Sequence, residues 1–504
     1  MSIATRSSVL AIVPEVTEGT PVAPSAATQY TAIQTDFTMS PSYDVLENDE
    51  LSGSIGAKKP IIGNENPTAS FSHYLKHSGT EGQAPDYNDL LKAAFGTETV
   101  NATERVTAAG STTAVINVAA ATGSDFPRGA GFLIKDGTNG YRIRAVYSRS
   151  VDAITTLFNV PTAPAAGVSL GKCAYYSPAN SGHQTLDLWH YIGNPGAIEL
   201  MAGGRVTGFS FDATAGDLIN ASYDLEGSGY FFDPIMITSS TRYIDFTDDD
   251  GTWAAAVAVK TYKDPHELAS ALQTAMQAAN AGETPTVTYS NSTGLFTIKT
   301  TGVLLSLLWN TGANAANTIA TKVGFSAAAN STGSAATTGY TSATAYSTSS
   351  PFTPTLDSSD PLAAKNHEVM IGDATDYACF EASTVGFSAT LERAINLSLC
   401  AESGQSGSLI TARSSEITIT ALLNQYDAKW FARLREGTTS RFQYSFGTKV
   451  GGNWVAGKNG YLAVMDATVS SIEVADQDGQ AVLNLTLTPY VNAAGEGEIY
   501  LGFL

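Results

Sequence analysis

Alternating apolar and polar positions run through most of this chain and predict short strands joined by tight turns. Val206, Phe209 and Phe211 precede Gly216, and apolar positions continue to Leu225; Val469, Ile472 and Val474 precede Gly479 in the same way. A two-residue period either side of a glycine reads as a β-hairpin in both places. Three segments break the strand pattern. Asp86–Gly96 and Asp427–Gly437 each open on an Asp suited to an N-cap and close on a Gly suited to the C′ position, so each frames one short helix. Asp264-Pro265-His266-Glu267 supplies a cap, a first-turn proline and a capping-box Glu for a longer helix reaching about Asn280. Its core-facing stripe is Leu268, Leu272, Ala275, Met276 and Ala279.

These elements repeat. Val206–Leu225 matches Val469–Thr488 at a constant spacing of 263 residues without a gap. The helix of Asp86–Gly96 matches that of Asp427–Gly437, and Phe37-Thr38 falls where Phe387-Ser388 falls. The fold expected is mainly β: two related units, each a sheet with a short flanking helix, interrupted by two inserts. The first unit covers residues 28–96 with 181–232, and the second covers 351–504. Between the parts of the first lies a β-rich module, 97–180, with strands expected at Thr112–Val118, Phe132–Lys135, Tyr141–Tyr147 and Thr155–Val160 and a turn at Asp136–Gly140. Arg142, Arg144 and Arg149 give it a basic strand edge. An α+β decoration domain follows at 233–350, with strands at Thr286–Tyr289 and Leu295–Lys299. It ends in an Ala/Ser/Thr/Gly-rich stretch, Ala327–Ser350, that reads as a loose linker. Residues 1–27 read as an extended, unprocessed N-terminal arm, because Pro14, Pro21 and Pro24 forbid a continuous helix and the apolar run Val9–Val13 is too short for a secretion signal.

Composition narrows the function. The 504 residues carry 47 acidic against 27 basic side chains, a net charge of −20, and such a surface repels polyanions rather than holding them. The same excess of acid can serve solubility alone, or a conduit through which DNA slides without sticking. No apolar run reaches the roughly 18 residues of a membrane span. Cys173, Cys379 and Cys400 stand far apart with no metal-ligand spacing, so reduced, buried, inert thiols and synthesis in a cytosol are expected.

Candidate chemistry is sparse. His73 and His77 are four residues apart, but their surroundings alternate as a strand does and no HExxH helix motif is present. Asp248-Asp249-Asp250-Gly251 lacks the spaced ligands and closing Glu of a calcium loop and reads as a hairpin turn. Trp430, Phe431 and Leu434 read as core packing on the second helix. There is no GxSxG, no phosphate-cradling glycine loop and no pair of carboxylates that sequence can place together. No enzyme, catalytic residue, cofactor or metal is expected.

Taken in order, Ala11-Ile-Val-Pro-Glu-Val-Thr-Glu-Gly-Thr-Pro21, Phe37-Thr-Met-Ser-Pro-Ser-Tyr-Asp-Val-Leu-Glu47, the helix at Asp86–Gly96 and the paired hairpins at Gly216 and Gly479 resemble the tail tube proteins of long-tailed (siphovirus) bacteriophages. The resemblance covers the two core copies, about half the chain, and leaves both inserts unexplained. It implies a virion protein made in the bacterial host cytoplasm, built from β-sandwich units that close six at a time into rings around a barrel. These rings stack as the conduit for DNA ejection. A chain with two units would close as a homotrimer with pseudo-six-fold symmetry. The implied partners are other copies of itself, a tape measure protein and tail terminator or baseplate proteins, with DNA passing through the lumen without specific binding and no membrane. Segment 1–27 and a long loop near Asp44–Asn66 would reach the neighbouring ring. The alternatives are a capsid or tail decoration protein and a glycan-binding surface adhesin, for which Tyr340 and Tyr346 would be aromatic platforms.

Overall fold

The structure is a computed structural model that describes residues 5–50, 58–333, 337–401, 403–423, 428–493, 495 and 498–504. Asp427, the expected cap of the second short helix, and Gly53 and Gly56 of the long loop lie outside the described residues. The chain is mainly β, and it forms two compact units that cut across the boundaries expected from sequence.

The larger unit comprises residues 28–186, 203–228 and 354–504. Its principal strands are β1 (Thr38–Ser40), β2 (Thr68–Tyr74), β3 (Gly96–Asn101), β4 (Cys173–Pro178), β5 (Ala197–Thr214, from Gly203 on in this unit), β6 (Asn220–Glu226), β7 (Glu368–Gly372), β8 (Ala382–Leu397), β9 (Gln405–Leu422), β10 (Thr439–Val450), β11 (Asn453–Gln477), β12 (Gln480–Pro489) and β13 (Ile499–Phe503). They make two antiparallel sheets. The first runs β1-β2-β6-β5-β8-β9-β12-β11. The second runs β7-β10-β11-β13-β4-β3. Strand β11, 25 residues long, belongs to both: its first half pairs with β10 and β13, its last part with β12.

The duplication read from sequence is visible in the first sheet. Strands β1-β2-β6-β5 and β8-β9-β12-β11 are the same four-strand pattern twice, joined where β5 meets β8. Both hairpins even carry a β-bulge at the matching place, Val206/Gly208 and Val469/Ser471. The gapless spacing holds only along the first strand of each hairpin. Leu225 lies opposite Val206, but Leu487 lies opposite Val469, so the second turn is one residue shorter. A slip of one residue would send the buried Leu225 to the place of the exposed Thr488. The upstream alignment shifts as well. Phe71 and Ile419 face Tyr223 and Leu485, which makes Ala69 and Ile417 equivalent, and their partners are Met39 and Phe387. Met39, not Phe37, holds the position of Phe387.

Alternation decides which side chains fill the space between the sheets. His73, Ala221, Phe211, Phe387, Ile417, Leu487 and Val469 form one buried row across seven strands. Aromatic rings tie this row to the second sheet. Phe211 lies 5.8 Å from Tyr444 and 5.7 Å from Phe446, and Phe446 lies 6.3 Å from Phe503. Phe209 touches Phe387, Tyr223 and Phe95, the last on the helix Asn88–Phe95. That helix ends on Gly96 at φ 93°, as expected, but no side chain caps its start: the N-cap is Tyr87, not Asp86. On the second helix, Ala428–Glu436, Trp430 is fully buried, whereas Phe431 and Leu434 are exposed rather than core.

The β-rich module forms a six-stranded sheet, with strands at Val115–Asn117, Gly131–Lys135, Arg142–Ser150 and Ala153–Thr156 close to those expected. Its flanks, β3 and β4, belong to the second core sheet, so the module proper is shorter than 97–180. Gly129 and Gly131 allow it to dock: a Cβ on either would sit 2.0 Å from the ring of Tyr500 or Tyr461. The expected basic edge is only partly there. Arg144 is buried and donates to the carbonyls of Ile143 and Asn159, and burial lowers its pKa to about 10.

The smaller unit comprises residues 1–27, 187–202 and 229–353. The segment expected to be a projecting arm contains a strand, Val9–Pro14, with Leu10–Val13 buried. It pairs with the strand Leu186–Ile192. Val22 is fixed too: its N–H donates to Asp187 at 2.6 Å and its carbonyl accepts from Trp189 Nε1 at 2.9 Å. The α+β module has its own core around Leu268, Leu272 and Met276 of the helix Pro265–Ala279. Asp264 caps that helix by accepting from the Glu267 N–H at 2.9 Å. The stretch read as a loose linker closes the module instead: Tyr340–Thr341 pairs with Leu295–Lys299, and the Tyr346 hydroxyl donates to the Pro234 carbonyl.

Two predictions follow from the core of the larger unit. Phe211→Ala removes the ring that joins both repeats to the second sheet and should cost about 3–5 kcal/mol, read as a fall in the denaturation midpoint. His73 and His367 are held neutral by burial, helped at His367 by nearby Lys449, and their pKa values fall to about 4. The unfolded chain therefore binds more protons as pH drops from 6.5 to 4, and each histidine should remove roughly 3 kcal/mol of stability across that window. Urea midpoints at pH 7 and pH 4 check this, and His73→Phe should shrink the drop by that share.

Candidate functional site

The face of the first sheet turned away from the core is polar. One row across six strands reads Thr38, Ser70, Asp224, Gly208, Thr390 and Ser414. A second reads Ser72, Ser222, Ser210, Ser388 and Glu416. The third crosses seven strands as Tyr74, Asn220, Asp212, Gly386, Thr418, Thr486 and Ser471, and the fourth runs Thr214, Thr384, Thr420, Asn484 and Glu473. Among the described residues of these rows, Asp212, Asp224, Glu416 and Glu473 are acidic and none is Lys or Arg.

Local sequence explains this face. Each carboxylate sits between two side chains of opposite parity: Asp212 between Phe211 and Ala213, and Asp224 between Tyr223 and Leu225. Two glycines make room for these carboxylates. A Cβ on Gly386 would lie 2.5 Å from Thr418 Oγ1 and 3.1 Å from an Asp212 oxygen, and one on Gly208 would lie 2.8 Å from an Asp224 oxygen. Partial burial raises the Asp212 pKa above the ordinary carboxylate value. The Thr420 hydroxyl donates to the Asn484 side chain at 2.9 Å, satisfying one member of the fourth row within the sheet. Over these four rows the face is thus a hydroxyl-rich surface with fixed negative charge, and none of their described residues is a cation that could hold a phosphate.

A hairpin stands at one end of this sheet. Tyr43–Leu46 pairs with Ile61–Glu65 in the region expected to be a long loop, and Tyr43, Val45, Leu46, Ile61 and Ile62 are all exposed. Its base is held at Glu65, whose N–H donates to the Ser403 carbonyl at 3.2 Å.

The remaining candidates are structural in their surroundings. His73 lies in the core against Tyr87 and Tyr223, with Nδ1 at 3.0 Å from the Tyr74 carbonyl oxygen. Asp248–Gly251 closes a hairpin in which Asp248 Oδ1 accepts from the N–H groups of Asp250 and Gly251. Among the described residues no group of three or more His, Cys, Asp or Glu is placed to hold a metal ion. Tyr340 is buried, with its hydroxyl on the Leu305 carbonyl, and Tyr346 is tied to Pro234, so neither is an aromatic platform. Of the cysteines only Cys173 is buried; Cys379 and Cys400 are exposed, contrary to expectation. No helix among the described residues is long and apolar enough to cross a membrane.

Residues 5–252, just under half of the chain, match the family described as phage tail tube protein. No curated protein matches the chain. Among solved structures, a chain from the virion of a native gene transfer agent particle is similar at 14% identity, covering 27% of this chain and 95% of that one, with a TM-score of 0.19; a likeness at that score carries no argument.

Proposed function

We propose that three copies of this chain close into a ring whose inner wall is the polar face of the first sheet, and that such rings stack into the tube through which phage DNA leaves the particle. The observation that carries this reading is the edge-to-edge union of two four-strand repeats in one sheet at the β5–β8 junction. Three chains then supply six repeats around one axis, and closure uses up strand edges that would otherwise invite open-ended pairing.

The chemistry of the face suits passage of DNA. A lysine or arginine in the wall would neutralise phosphates and add affinity at every contact, which would hold the DNA in place. Asp212, Asp224, Glu416 and Glu473 instead repel the backbone over a screening length of about 8–10 Å. Hydroxyl and amide groups keep the wall wetted without fixing any sequence.

Purified protein should form rings or tubes by negative-stain imaging, with a ring mass of three chains. Dispersed single chains at every concentration, or rings of six, would sink this reading. The α+β module should be dispensable for closure, because its ends meet at the Tyr346–Pro234 contact and its core is its own. Replacing 235–345 by a short Gly-Ser link should leave ring formation intact. Charge reversal at Asp212, Asp224, Glu416 and Glu473 to Lys should convert tubes that ignore duplex DNA into tubes that retain it at low salt, measured by co-sedimentation.

A further inference from the structure

The first sheet has two ends with no strand beyond them among the described residues. At one, β1 pairs only with β2; at the other, the last part of β11, Val469–Gln477, pairs only with β12. The interior of the same sheet shows what such ends do when they meet. There β5 lies antiparallel to β8 from Gly208↔Thr390 to Thr214↔Thr384, with Phe211 opposite Phe387. Strand β11 is the repeat of β5, and β1 is the repeat of β8.

Equivalence through the ladders fixes the register. Phe209 and Ile472 face Tyr223 and Leu485, so Val474 holds the place of Phe211. Met39 holds the place of Phe387. We infer that the edge Val469–Gln477 of one chain adds antiparallel to the edge Thr38–Ser40 of a second copy, with Val474 opposite Met39 and Glu473 opposite Ser40. This rests on the ring reading above and names the seam that would close it.

Exposure points the same way. Phe211 and Phe387 are 1% and 2% exposed at the interior seam, whereas Val474, on the core-facing side of its strand, is 51% exposed. An apolar side chain at the core-facing position of a free edge is what a second copy would cover. The two seams are not equal. The interior one joins two phenylalanines along an unbroken run, while the outer one joins Val474 to Met39 and meets Pro41, which has no N–H to donate, opposite Ile472. A ring built this way alternates strong seams within chains and weaker seams between them, so it should come apart into single folded chains.

Cysteine pairing tests the register in the full chain with Cys379→Ser and Cys400→Ser. Cβ atoms directly opposite across antiparallel strands are about 4.5–5.5 Å apart and diagonal neighbours about 7–8 Å, so only the opposite pair is near disulfide reach. Ser40→Cys with Glu473→Cys should oxidise to a covalent closed trimer on a non-reducing gel, at least tenfold faster than Thr38→Cys with Glu473→Cys. Faster linking of the Thr38 pair, or rings that form without linking at either pair, would overturn the seam while leaving the tube reading standing. A Cys379→Ser/Cys400→Ser parent that forms no rings would overturn both.

Discussion

The junction of β5 with β8 is the constraint on which the larger unit depends. Phe211 and Phe387 face each other there, and the rings of Tyr444 and Phe446 cover Phe211 from the second sheet. Each buried phenylalanine contributes roughly 1.5–3 kcal/mol by leaving water, and their contacts with neighbouring rings add about 0.5–1.5 kcal/mol each. More important than the sum is its position. The same residues that join the two repeats also bind the sheet to its partner layer, so register, repeat union and sandwich packing are settled together. A one-residue slip at this junction would turn Phe387 toward the polar face and Ser388 into the core.

The two inserts fill their interiors in different ways. The β-rich module lies against the second sheet through two positions where only glycine fits, and its buried cluster includes Tyr461, Met465 and Tyr500 of the frame. The α+β module fills its interior with its own side chains, from Ile235 to Tyr340. The first is welded to the sheet it lies on, whereas the interior of the second is closed by its own residues.

How much of this was legible in the sequence depended on whether the signal was local. Gly216 and Gly479, the Asp264 cap and the Gly96 stop were readable because each acts on its own few residues. The repeat was readable for the same reason, since Phe209-x-Phe211 and Ile472-x-Val474 keep strand parity. What failed needed partners far along the chain. The one-residue change of spacing after the turn shows only in the ladders, and the burial of Leu10–Val13 depends on a strand near residue 190. Tyr340 and Tyr346 sit in a low-complexity stretch whose order comes from contacts with Leu305 and Pro234. The acidic face was hidden in plain sight: the alternation that buried Phe211 and Tyr223 also turned Asp212 and Asp224 outward, but only strand pairing brings those two onto a shared surface with Glu416 and Glu473.

Strand β11 has a mechanical consequence. An unbroken ribbon of 25 residues, roughly 80 Å at strand rise, lies with one end in each layer. Two stacked sheets that share no strand can slip past one another by repacking side chains. Here such sliding would have to break the peptide backbone's own ladder, so the layers are free to flex and coil as one body but not to shear. Strain applied to either layer is delivered to the other through covalent bonds.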